Sequence, residues 1–164
     1  MRSLLVVFGF GLLVFSSCSR GDEPVLDPVM SSTSDMICKY QGPLKAEPIE
    51  SNETCVYWEY TEDGLFTMTH FNAGFNCCPE AILTSLTLSG DTIFVSERDS
   101  MQLCRCKCLY DIDFVISNLQ PKKYIISFDE INVQAPDRPL VFEIDLENKI
   151  SGKFCEIRDY YPWL

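Results

Sequence analysis

Cys104-Arg105-Cys106-Lys107-Cys108-Leu109-Tyr110-Asp111-Ile112-Asp113-Phe114-Val115-Ile116-Ser117 is the stretch that decides the fold. Side chains two apart on a strand share a face. One face then carries Cys104, Cys106, Cys108, Tyr110, Ile112, Phe114 and Ile116. The other carries Arg105, Lys107, Leu109, Asp111, Asp113, Val115 and Ser117. The alternation predicts a strand whose apolar stripe meets a core while its charges meet water. The cysteines continue the apolar stripe, and a core face is where buried cystines belong.

The flanking segments repeat the period. Val56–Tyr60 is aromatic and β-prone, Glu62-Asp63-Gly64 is a hairpin turn signal, and Phe66, Met68 and His70 share a face of the strand that answers it. Ile82, Thr84, Leu86 and Leu88 alternate before the Ser89-Gly90-Asp91 turn and a return strand from Thr92. Beyond Asn118-Leu119-Gln120-Pro121, the residues Tyr124, Ile126 and Phe128 form one stripe. Leu140, Phe142, Ile144 and Leu146 form another, and Glu147-Asn148 turns into a last strand, Ile150–Ile157. A short helix beginning at Pro79-Glu80 is the one helical expectation, because proline suits a first helical position. These short strands and regular turns predict an all-β, antiparallel β-sandwich. The segment Ile116–Tyr124 resembles a hairpin of immunoglobulin-like and transthyretin-like domains, in which a Leu-x-Pro-Gly turn precedes a Tyr. Lys122 stands where the Gly would be.

Beyond Cys18, eight cysteines remain: Cys38, Cys55, Cys77, Cys78, Cys104, Cys106, Cys108 and Cys155. An even number in an exported chain points to a disulfide framework. Composition leaves on the order of a hundred complete connectivities open. Cys77 and Cys78 are adjacent and point to opposite sides, so each needs a different mate. One or both should pair within the Cys104–Cys108 group, leaving Cys38, Cys55 and Cys155 for the rest. The rival reading is a thiolate metal site or redox centre built from Cys77, Cys78, Cys104, Cys106 and Cys108. Zinc knuckles favour wider spacing than Cys-x-Cys, and an oxidising compartment removes free thiolates. The expectation is therefore eight bridged cysteines with no bound metal and no cofactor.

The compartment is read from the N-terminus. Arg2 precedes an apolar run, Leu4–Phe15, which ends in Ser16-Ser17-Cys18. A spanning helix needs about 20 apolar residues, whereas a signal-peptide core needs about 7–15. The arrangement resembles the lipobox of bacterial lipoproteins, with Phe15 in place of the usual Leu. That resemblance implies a signal peptide over 1–17 and lipid on Cys18, hence anchoring without crossing. Ser19 after the cysteine favours the bacterial outer membrane, with the chain facing the periplasm or the cell surface. Residues 18–36, rich in Ser, Asp and Pro, read as a flexible tether, and residues 37–164 as the β-sandwich domain. Lipobox, Asn76-Cys77-Cys78 and the Cys-x-Cys-x-Cys-x-Tyr-Asp strand together resemble small cysteine-rich lipoproteins of Gram-negative bacteria, a family that brings no activity with it.

The chain has 13 basic and 24 acidic side chains, a net charge of −11. That argues against nucleic acid and against electrostatic binding to anionic head groups, both of which reward Lys and Arg. His70 is the only histidine, and its alternation with Phe66 and Met68 places it in the core or at an edge. No Gly-x-Ser-x-Gly elbow marks an acyl-transfer serine. Asp111 and Asp113 read as ordinary polarity on a solvated face. The aromatic tail Asp159–Leu164 reads as packing over the sandwich edge. The sequence thus describes a lipid-anchored, non-enzymatic binding or structural accessory of the cell envelope. Its partners would be the membrane through Cys18 and an envelope protein or glycan, with no nucleic acid. A metal-binding or redox-active lipoprotein is the alternative.

Overall fold

The computed structural model describes residues 26–34, 36–39, 49–101 and 104–163. The expected signal peptide, Cys18 and the first part of the tether, through residue 25, lie outside these residues. The described residues contain nine strands and no helix. These are β1 (Val29–Ser34), β2 (Glu53–Tyr60), β3 (Phe66–Asn76), β4 (Ile82–Ser89), β5 (Thr92–Asp99), β6 (Lys107–Ser117), β7 (Lys123–Glu130), β8 (Val141–Asp145) and β9 (Ser151–Ile157). They form a five-stranded sheet, β1-β6-β3-β2-β9, and a four-stranded sheet, β4-β5-β7-β8. The two pack face to face around one core. The fold is the disulfide-stapled all-β sandwich that the alternation predicts.

The core is built from the anticipated stripes. Val56, Phe66, Met68, Ile112, Phe114 and Ile116 come from the five-stranded sheet. Ile93, Val95, Tyr124, Ile126, Phe128 and Ile144 come from the other, and all are buried. Phe114 and Phe128 meet across the layers with ring centroids 6.1 Å apart. Each such side chain adds about 1.5–3 kcal/mol on burial. The crossover from β6 to β7 is pinned by two hydroxyls. Tyr60 donates to the Leu119 carbonyl at 2.8 Å, and Tyr124 donates to the Gln120 carbonyl at 3.0 Å. The second bond is the one a Tyr opening the next strand can make to its own turn.

Four expectations are corrected. The tether assigned to residues 18–36 contains β1, which pairs antiparallel with β6 from Val29↔Ser117 to Ser34↔Ile112. Val29-Met30-Ser31-Ser32-Thr33-Ser34 lacks an apolar stripe because it is an edge strand, with Met30 its only large inward side chain. The sandwich is not wholly antiparallel, because β5 and β7 run parallel. No helix begins at Pro79, where the chain is bent next to Cys77 and Cys78. Lastly, β6 starts at Lys107, so Cys104 and Cys106 lie outside the strand and are exposed, while Cys108 alone sits on its core face. Adjacent Cys77 and Cys78 cannot both reach mates on one strand face, so the ladder gives way before Cys106.

The register of β3 against β6 shifts by one residue at a bulge between His70 and Ala73. Asn72 takes the left-handed conformation there, with φ of 60°, which asparagine tolerates better than most residues. Its side-chain amide donates to the Glu50 and Glu53 carbonyls at 3.0 and 2.7 Å. The extra residue keeps Phe66, Met68 and His70, then Ala73 and Phe75, all facing inward. Just beyond it, a Cβ on Gly74 would come within 2.7 Å of the Trp163 ring. The absence of a side chain lets the C-terminal tail close over the strand. Trp163 is buried and donates its indole N–H to the Asn72 carbonyl at 2.8 Å. The tail therefore packs over the sandwich as expected.

Candidate functional site

The eight cysteines of the domain form four bridges. Cys38–Cys108, Cys55–Cys155, Cys77–Cys106 and Cys78–Cys104 have Cα–Cα distances of 5.6, 4.1, 5.4 and 5.8 Å. Both adjacent cysteines thus find mates in the Cys104–Cys108 group, and the remaining residues pair as the leftover set. Asn76 organises the double bridge. Its amide donates to the Cys104 carbonyl at 2.6 Å, and its side-chain oxygen accepts from the Cys78 N–H at 3.1 Å. Cys55 and Cys155 stand directly opposite each other in the β2–β9 ladder. The sulfurs of Cys77, Cys104 and Cys106 lie within 4.8 Å of one another. Metal ligation needs thiolates, so the bridged form offers no ligand set, and reduction would expose one.

The alternation placed His70 in the core or at an edge; the structure buries it, among partners the alternation does not show. Three inward stripes each end in an ionisable group: Phe66-Met68-His70 on β3, Ile93-Val95-Glu97 on β5, and Tyr124-Ile126-Phe128-Glu130 on β7. The parallel β5–β7 register sets Glu97 beside Glu130. Two buried carboxylates side by side require cations, because unpaired buried charge is costly. His70 Nδ1 lies 2.9 and 3.0 Å from the two Glu97 oxygens, and buried Arg158 reaches Glu130 at 3.2 Å. Burial alone would pull the His70 imidazole down. The charge and hydrogen bond of Glu97, with help from Glu130, outweigh it and hold the imidazole above its ordinary value of 6.5. Burial pushes the Glu130 carboxyl above its usual range against the opposing pull of His70 and Arg158.

Thr54, His70 and Glu97 are linked in the order hydroxyl, imidazole, carboxylate. His70 Nε2 lies 2.8 Å from Thr54 Oγ1. Nucleophilic hydrolases use that order, but all three residues are buried and the adjoining cavity is about 10 Å3. That is room for one water. The Thr54 hydroxyl can donate onward to the Phe71 carbonyl at 3.4 Å, which leaves its oxygen to accept from a doubly protonated imidazole. This chemistry belongs to a closed cation–carboxylate centre that ties the two sheets together.

The open feature is a groove of about 550 Å3 on β3, β2, β9 and the turn before β9. Its floor follows from the ladder. Tyr57 lies between Thr69 and Lys153, and Glu59 lies between Thr67 and Ser151. Cys55 lies between Phe71 and Cys155 in the next row, so the half-buried bridge stiffens this end. Tyr57 and Phe71 meet edge to face at 5.2 Å. Lys153 Nζ lies 5.7 Å from the Tyr57 ring, and Lys149 Nζ lies 5.7 Å from the Trp58 ring. Trp58 fits because Gly152 opposite it has no side chain, where a Cβ would come within 2.3 Å of the indole. Sequence gave no direct signal for this groove, which needs the β2–β9 pairing of distant segments. No family model, curated protein or solved structure matches the chain.

Proposed function

We propose that the chain is a lipid-anchored envelope protein that acts as a non-enzymatic binding accessory, held on an outer membrane through Cys18. The reading of the anchor rests on Arg2, the apolar run to Phe15 and Ser16-Ser17-Cys18. The groove on the outer face of β2, β3 and β9 is the observation that carries the binding role. It is open, has a volume typical of ligand sites, and lies on a sheet stiffened by a cystine. The hydroxyl–imidazole–carboxylate set, by contrast, is sealed. Expression of the full chain in a Gram-negative host with labelled fatty acid tests the anchor. Label should enter the wild type and fractionate with membranes, and Cys18→Ala should lose both. Equal membrane recovery of unlabelled protein in both forms would discard it. A Tyr57→Ala variant with unchanged unfolding should lose retention of envelope components.

A second reading keeps the Cys77, Cys78, Cys104 and Cys106 group as a metal or redox site, favoured by the close approach of three of its sulfurs. Titration of the reduced protein with Cu(I) or Zn2+ separates the two. A stoichiometric complex that forms in the isolated protein without added reductant would support the second.

A further inference from the structure

We infer that the groove takes a carbohydrate chain bearing carboxylates, an inference that rests on reading this groove as the binding site. Tyr57 and Phe71 offer the apolar ring faces against which the C–H face of a pyranose packs. Both are partly exposed, and their edge-to-face contact fixes their orientation. Thr67 and Ser151 bring hydroxyls with no protein partner among the described residues. Glu59 between them can accept from sugar hydroxyls.

Charge then selects the sugar. On a chain with a net charge of −11, cations are few, and half of the described ones are held by carboxylates. Arg98, Lys122, Lys123 and Arg158 each sit within ion-pair distance of a carboxylate. Lys149 and Lys153 have no carboxylate partner among the described residues and both line the groove, Lys153 over the Tyr57 ring. Lys39, which is bound to Asp111 at 2.7 Å, adds a third amine 5.7 Å from the Phe71 ring. Two unpaired ammonium groups beside an aromatic floor complement a ring that carries a carboxylate. Phosphate-rich nucleic acid would need a longer basic track than this acidic surface offers.

The test uses the detergent-solubilised full chain and three acidic polysaccharides: polygalacturonate, alginate and hyaluronan. Each is paired with its methyl-esterified form, which keeps the ring and removes the charge. Calorimetry should show binding to at least one acidic form, at least tenfold weaker to its ester and weakened by added salt. Lys149→Ala/Lys153→Ala should weaken it tenfold or more, and Tyr57→Ala should abolish it, with thermal unfolding unchanged in both. Equal affinity for acid and ester would overturn the choice of carboxylate and leave the groove as the site. Binding that ignores all three substitutions would overturn the groove itself. No binding to any of the polymers, with an envelope protein cross-linked through Tyr57 instead, would overturn the carbohydrate and keep the binding role.

Discussion

The five-stranded sheet carries, in its strands or at their ends, a cysteine from every bridge, whereas no strand of the four-stranded sheet contains one. Cys55–Cys155 joins two neighbouring strands across the groove floor. Cys77–Cys106 and Cys78–Cys104 clamp the chain where it leaves β3 and where it enters β6. The second sheet is held by apolar packing and by the His70–Glu97–Glu130–Arg158 centre. One layer is thus fastened covalently within itself, and the other is fastened to it through charge and packing. The difference teaches where stiffness is placed. It lies under the open groove, and it leaves the interface between the layers sensitive to ionisation.

The largest effect should come from breaking the ionic centre. Glu97→Ala strands the His70 cation beside Arg158, and loss of one partner of a buried pair costs about 3–5 kcal/mol. Urea unfolding at neutral pH measures it. His70→Gln/Glu97→Gln should recover more than half of the loss, because no charge is then left unpaired. A double variant as unstable as Glu97→Ala would show that shape, not charge, holds the layers.

Removing the groove cystine ranks next. Cys55→Ala/Cys155→Ala should lower stability by about 2–5 kcal/mol. Amide exchange should speed up in β2 and β9 while β5 and β7 stay protected. Uniform acceleration in both sheets would erase the contrast between them.

A smaller effect follows from pH. His70 is held above its ordinary value of 6.5 in the folded chain. Its contribution is therefore fully present below that pH and is lost as pH rises through the folded value. Glu130, also raised, acts with the same sign, its contribution falling away above the ordinary carboxylate range. The melting temperature should fall as pH rises above 6.5, and His70→Gln should flatten that slope. A slope unchanged by the substitution would remove His70 from the account. The smallest effect is at the rim. Asp129→Asn breaks an exposed pair with Arg98 and should change stability by no more than about 0.5 kcal/mol.

Much of the fold was legible because core stripes obey a period of two. Phe66-Met68-His70 and Tyr124-Ile126-Phe128 were read from spacing alone, and the same rule carried one step further reaches Glu97 and Glu130 on the core face. What spacing could not supply was the parallel β5–β7 pairing that sets those carboxylates side by side, or the Arg158 that answers them from beyond β9. β1 was hidden because an edge strand of Ser and Thr has no apolar stripe to betray it. Cys104 and Cys106 misled for a related reason: alternation alone cannot show that the demands of Cys77 and Cys78 end the strand. The groove depends on β2 meeting β9 across a sequence separation of 100 residues at the Cys55–Cys155 bridge, and no local pattern reports such a contact.

The most direct test of the account is peptide mapping, without reduction, of the full chain isolated from the envelope of its host under alkylating conditions. The account predicts linked peptides for Cys38–Cys108, Cys55–Cys155, Cys77–Cys106 and Cys78–Cys104, and a new N-terminus at a lipid-modified Cys18. Alkylated free thiols at Cys77, Cys78, Cys104 and Cys106, or an unprocessed N-terminus with an unmodified Cys18, would contradict it.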